Sequence, residues 1–148
     1  MSERAREIID SNRYMTLGTA GADGTPWVSP VWFAPVEYRE LLWVSSPGAR
    51  HSRNVEERPQ VAIVIFDSTA PVGEGQGVYL EAVAGQLSGD EAELGIERFS
   101  GHSVATGSPA WTIEAVTAPA RHRLYRATIT AAFIGNRGDE RDRVSLID

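Results

Sequence analysis

Residues 14–33 read YMTLGTAGADGTPWVSPVWF, two strand-like segments joined by an Asp-Gly turn. This arrangement constrains the chain more than any other stretch does. In Tyr14–Ala20, Met15, Leu17 and Thr19 oppose Tyr14, Thr16 and Gly18, the two-residue period of a strand with one face inward. Ala22-Asp23-Gly24-Thr25 carries the signal of a tight hairpin. The returning segment Trp27–Phe33 is rich in aromatic and β-branched residues, which suit a pleated surface. Pro30 lies in its middle and has no N–H to donate, so this strand must run at a sheet edge or carry a bulge.

The remaining segments extend the same architecture. Ser2–Asn12 has Ala5, Ile8, Ile9 and Asn12 at helical spacing, with Ser2 as N-cap. Leu41–Ser45 reads as a third strand after a turn at Pro35–Glu40. Val61–Phe66 (VAIVIF) is apolar on both faces and reads as the most buried strand. Val78–Leu87 is a fifth strand and Leu124–Ile134 the last. Ser88 and Glu91 have the spacing of a capping box, which predicts a helix over Gly89–Phe99. Gly101–Pro109 reads as a loop, and the tail Asn136–Arg143 (NRGDERDR) as a solvated charged run. The sum is a mainly β chain: a six-stranded antiparallel barrel with short peripheral helices, forming a single domain over residues 1–148.

Charge removes several function classes. The net charge of −6 argues against a nucleic-acid partner, which requires a basic face. All 14 basic residues are arginines. Without lysine there is no P-loop and no Schiff-base pyridoxal enzyme. Any phosphate must be held by arginine, histidine, hydroxyls or backbone N–H groups. No apolar run approaches the ~20 residues that cross a bilayer. The start MSERAREIIDSNR lacks the apolar core of a signal peptide, and cysteine is absent. These features predict a cytoplasmic protein that does not engage membranes.

Residues 45–59, SSPGARHSRNVEERP, begin at a strand end and open a helix from about Ala49. Ser46 is placed to cap that helix and Pro47 to enter its first turn. A helix start offers free N–H groups and the positive end of a dipole to an anion. Arg50, Arg53 and Asn54 share a helix face, and Ser45, Ser46, Arg50 and His51 converge on the same end. The competing reading is a solvated helix whose arginines pair with Glu56, Glu57 or Asp67.

With those residues in view, the chain resembles the pyridoxamine 5′-phosphate oxidase-like family of FMN-binding split barrels. The resemblance is carried, in order, by YMTLGTAGADGTPWVSPVWF, LLWVSSPGARHSRNVEERPQVAIVIF and VYLEAVAGQL, from Tyr14 to Leu87. It implies an FMN-dependent oxidoreductase acting on a small organic substrate. Ser45 or Ser46, Arg50 and His51 would grip the flavin phosphate, with Asn54 on the same helix. Val28, Ser29, Pro30 and Val31 would run along the flavin ring. It also implies a homodimer with the cofactor at the interface, with Trp111 a candidate for reaching the partner's flavin. The family commonly has lysine where this chain has His51. Its vitamin B6 oxidases carry a C-terminal arginine motif that RGDERDRVSLID does not match. Relatives that bind deazaflavin or haem, or that carry their ligand without catalysis, are the alternatives.

Other motifs carry less. Gly73, Gly75 and Gly77 lack the dinucleotide spacing and read as a flexible loop. No G-x-S-x-G elbow frames a serine nucleophile. His51, His102 and His122 are scattered without metal-ligand spacing. No general acid or base is identifiable. Trp27, Trp32, Trp43 and Trp111 read as core or interface, with Trp32 a further candidate for ligand contact.

Overall fold

The computed structural model describes residues 2–148. Its elements are α1 (Glu3–Ser11), β1 (Tyr14–Ala20), β2 (Pro26–Trp32), β3 (Ala34–Val36), β4 (Glu40–Ser45), α2 (Arg50–Glu57), β5 (Gln60–Ile65), β6 (Val78–Gln86), α3 (Gly89–Ala105), a 3₁₀ turn (Ile113–Val116), β7 (Arg123–Gly135) and β8 (Arg141–Val144). The strands pair antiparallel in the order β2-β1-β5-β6-β7-β4-β3, with β8 added to β7. The architecture is the antiparallel split barrel with peripheral helices, built from eight strands rather than six.

The opening hairpin forms as its sequence dictates. Tyr14 lies opposite Trp32 and Ala20 opposite Pro26, and Gly24 takes φ 87°, which the turn requires. β2 pairs on one side only, so Pro30 removes no ladder bond. The helix α1 is capped as expected, the Ser2 hydroxyl accepting from the Ala5 N–H at 3.1 Å.

The two extra strands have clear causes. β3 is three residues long and contains Pro35, and the turn into β4 uses Glu37 and Tyr38 at φ 53° and 55°. Glycine or asparagine ordinarily marks such a turn. Tyr38 is secured there by donating to an Asp10 carboxylate oxygen at 2.5 Å, with the Arg6 guanidinium over its ring. The tail departs from the expectation of a solvated run, because Arg141–Val144 pairs with the end of β7 as β8. Arg141 lies 4.1 Å over the Tyr79 ring, covering apolar surface with its stem.

Two apolar clusters flank the sheet. Inside the barrel, Met15, Leu17, Trp43, Ile63, Leu80 and Tyr125 pack with Ile8 and Ile9 of α1. Outside it, α3 lays Ile96 and Phe99 over Ala34, Leu42, Leu87 and Leu124. At Gly95 any Cβ would meet the Leu124 side chain at 2.9 Å, so a glycine there lets α3 approach this closely. The helix continues to Ala105, through the segment expected to be a loop. The predicted capping box does not form: Ser88 makes no side-chain cap bond, and Glu91 instead binds Arg126 of β7 at 2.8 Å.

β5 also departs from expectation. It buries Val61, Ile63 and Ile65 but leaves Ala62 exposed, and Phe66 beyond it is 46% exposed. Its second apolar face belongs to an open outer surface with Val28, Val64, Tyr79 and Phe133. No helix among the described residues is long and apolar enough to cross a membrane.

Candidate functional site

The corner between β4 and α2 is built by Ser46. Its carbonyl accepts from the Ala49 N–H at 3.1 Å and its hydroxyl from the Gly48 N–H at 3.2 Å, closing the turn. The N-cap is therefore Ala49 rather than Ser46, and Pro47 precedes the helix instead of entering its first turn. Ala49 has no side-chain acceptor, and the first turn of α2 contains no acidic residue. The N–H groups and the positive dipole end of this helix are thus left for something else to satisfy.

Two expected residues meet directly here. The His51 Nε2 and the Ser45 Oγ lie 2.9 Å apart and share a hydrogen bond. Ser45 is the last residue of β4 and is buried, while His51 is half-buried. Burial pushes the His51 pKa below the ordinary imidazole value, favouring the neutral ring.

Arg50 stands at the same end, exposed, with its guanidinium 4.2 Å from the centre of the Trp27 ring. This contact brings the start of α2 against β2. Neither Arg50 nor Arg53 forms an ion pair with an acidic side chain among the described residues. The pairing with Glu56, Glu57 or Asp67 that a solvated helix would show is not there.

Asn54 turns inward, and its amide nitrogen donates to the Thr19 hydroxyl at 3.0 Å, pinning α2 to β1. Ser52, also on the buried side, has a hydroxyl with no hydrogen-bond partner among the described residues. On β2, Val28 and Pro30 are exposed, Ser29 is half-buried and Val31 is in the core. Val28 and Pro30 thus lie on the face of the edge strand opposite Trp27, whose ring meets Arg50.

Trp111 is not at this corner. Its backbone N–H donates to the Ser100 hydroxyl at 2.8 Å, and its ring meets Phe99 edge to face at 5.5 Å. Phe99 in turn meets Trp32 at 5.1 Å. Two partners in this geography were not foreseen from sequence: Trp27 under Arg50, and Thr19 under Asn54. The hairpin register, which sets Thr19 opposite Trp27, is the signal that links them.

Comparison with known proteins places this geometry. A family model described as pyridoxamine 5′-phosphate oxidase matches residues 1–133. No curated protein sequence matches the chain. Among solved structures, a heme binding protein from Mycobacterium smegmatis superposes with TM-score 0.75 at 21% identity, over 97% of this chain and 57% of that one. The present chain therefore spans little more than half of that neighbour. HutZ, the heme storage protein from Vibrio cholerae, gives TM-score 0.70 at 25% identity, over 87% of this chain and 90% of that one. An F420 reductase gives 0.64 at 20% identity, over 89% and 98% of the two chains. All share the split-barrel fold.

Proposed function

The chain belongs to the pyridoxamine 5′-phosphate oxidase family, and from that premise we propose that it is an FMN-dependent oxidoreductase acting on a small organic substrate. The observation that carries this reading is the open start of α2, where Arg50, His51 and Ser45 lie together with no ion pair to an acidic side chain among the described residues. These groups fit a phosphate. Arg50 offers a planar fork, Ser45 a hydroxyl and the first turn its N–H groups. The flavin supplies hydride or electron transfer when bound.

The protein's own residues anchor and orient. Arg50, held over the Trp27 ring, presents its donors on the β2 side of the corner. His51, neutral when alone, becomes a second cation when a phosphate dianion at Ser45 favours its protonated form. Binding then takes up a proton and strengthens as pH falls toward neutrality. Asn54 acts behind these residues by fixing α2 on β1. Val28 and Pro30 lay an exposed, partly donor-free edge along which a flat ring can run.

Assembly draws on the outer sheet face. Val28, Phe66 and Val83 are 64%, 46% and 45% exposed, an apolar surface that a second copy would cover. The cofactor lies at that junction, beside β2, and the protein acts as a soluble cytoplasmic homodimer.

A haem-carrying role is the second reading, supported by the likeness to a heme storage protein at 25% identity. FMN is favoured because the His51 imidazole at the corner is engaged by Ser45 while anion donors stand open. Visible absorbance and flavin-fluorescence titration test the choice. Quenching of FMN with saturation supports the reading. A Soret band with haem and no response to FMN transfers the site to haem, an F420-only response transfers it to deazaflavin, and silence toward all three removes the cofactor role.

A further inference from the structure

Between β2, β4 and α3 lies a cavity of about 310 Å³. Buried Phe99 forms its base, the half-buried indoles of Trp32 and Trp111 its walls, and Val44 of β4 a further side. His122 stands at its exposed rim. The lining contains no arginine, aspartate or glutamate. Arg123, next along the chain from His122, is outside this lining, and its Nη1 donates to the Ala120 and His122 carbonyls at 2.7 and 2.6 Å. The Ser103 hydroxyl is spent, donating to the Pro109 carbonyl at 2.7 Å.

Each of these facts limits the occupant. Aromatic walls favour a flat ring, which stacks face to face or meets them edge on. The lining offers an anion only His122 at the rim and the Ser108 hydroxyl, and no guanidinium, so a phosphate or carboxylate among the indoles is poorly answered. The volume sits at the low end of small-molecule sites, enough for one or two fused rings and too little for a peptide helix. Position adds the last point. Val44 is one residue before Ser45 on β4 but faces the other side of the strand, with Leu42 and Leu124, so the cavity approaches the cofactor site through Trp32, the residue that ends β2.

We propose that this aromatic cavity binds an uncharged, unphosphorylated flat aromatic molecule of one or two rings, the substrate that meets the cofactor held at the neighbouring corner. The substrate role rests on the flavin reading above; the binding itself does not.

The test uses the intact chain with 1-naphthol as probe, read through the four tryptophan indole N–H signals in NMR. The expected result is saturable shifts of Trp32 and Trp111, with Trp43 in the barrel core unmoved. Val44→Phe, which fills the slot, weakens binding by about tenfold or more. Trp111→Leu at a half-buried position does the same, so the test stands if either variant fails to fold. 1-Naphthyl phosphate, the same rings with a phosphate, binds at Trp32 and Trp111 about tenfold more weakly. Unshifted Trp32 and Trp111, full affinity in the folded variants, or equal binding of the phosphate ester there each overturns the proposal. FMN titrated into the same samples reports at Trp27. Failure of FMN with success of 1-naphthol sinks the flavin reading alone, and the reverse sinks this one alone.

Discussion

The helices α2 and α3 both begin just beyond a strand, and neither N-cap makes a side-chain hydrogen bond. Their first turns differ. α3 carries Asp90 and Glu91 there, so its own carboxylates answer the positive dipole end. α2 has no acid at its start and instead places Arg50 and His51, adding positive potential to a terminus already short of acceptors. One helix start is electrostatically complete within the chain; the other is complete only with an outside anion. The same contrast runs through their packing. α3 buries apolar side chains such as Ile96 and Phe99, whereas α2 buries Ser52 and Asn54 beside Val55. α3 is thus a structural brace and α2 a presenting element.

The largest expected effect falls on the brace. Phe99→Ala removes a ring that is 2% exposed and should cost about 3–5 kcal/mol of stability in urea denaturation. FMN affinity of the folded fraction should stay within a few-fold of the parent, because the phosphate grip lies on the other helix. A parallel loss of affinity would erase the division between the two regions.

Arg50→Ala strikes the presenting element. It should weaken FMN binding by about 1.5–3 kcal/mol, the worth of a charge-assisted hydrogen bond, in a fluorescence titration. Arg126→Ala, which removes the partner of Glu91 and Glu40 near α3, should leave FMN binding unchanged. Equal effects of the two substitutions would show that net charge alone, and no built site, attracts the cofactor.

Ala49→Asp gives the start of α2 a carboxylate, placed at the N-cap rather than in the first turn where α3 has its own. A capping carboxylate should raise stability by about 1 kcal/mol while lowering FMN affinity, since it competes for the same N–H groups. Gains in both quantities would mean that the N–H groups never meet the phosphate.

The smallest effect is in pH, and it runs in opposite directions for the two observables. The His51 pKa is lowered in the folded protein, so the unfolded chain takes up a proton first as pH falls through the ordinary imidazole range near ~6.5. Stability of the free protein contributed by neutral His51 is therefore full above that range and lost as pH falls through the lowered folded value. FMN binding should tighten a few-fold between about pH 8 and 6.5, as the phosphate draws a proton onto the ring. His51→Gln should flatten both trends, and a retained slope in calorimetric titration would assign them to another group.

Legibility from sequence tracks how local each cause is. The β1–β2 hairpin was readable because Asp23-Gly24 and the alternation around it lie close together in the chain, and Pro30 declared its strand an edge. The membership of Ser45, Arg50 and His51 in one corner was readable for the same reason. β3 and β8 were not, since Glu37-Tyr38 lacks turn chemistry and is held by Asp10, and Arg141–Val144 becomes a strand only because β7 offers it an edge. The capping box at Ser88 failed because Arg126, far along the chain, binds the glutamate more directly. VAIVIF could not reveal which of its apolar faces would be left open. The cavity between Trp32, Phe99 and Trp111 was invisible for a like reason, being assembled from β2, α3 and a distant loop.

β7 has a consequence for how the chain reaches this state. This single strand of 13 residues pairs with β6, β4 and β8 at once. β1 and β2 meet across a short turn and can zip early. β4, complete at Ser45, must wait for Arg123–Thr128 before its main ladder forms. During synthesis the β7-facing edges of β4 and β6 therefore stay bare until Arg123–Gly135 has emerged. Once β7 is seated, the two halves of the sheet cannot part without removing it. Its central amides should be among the last in the molecule to exchange with deuterium, opening only with global unfolding.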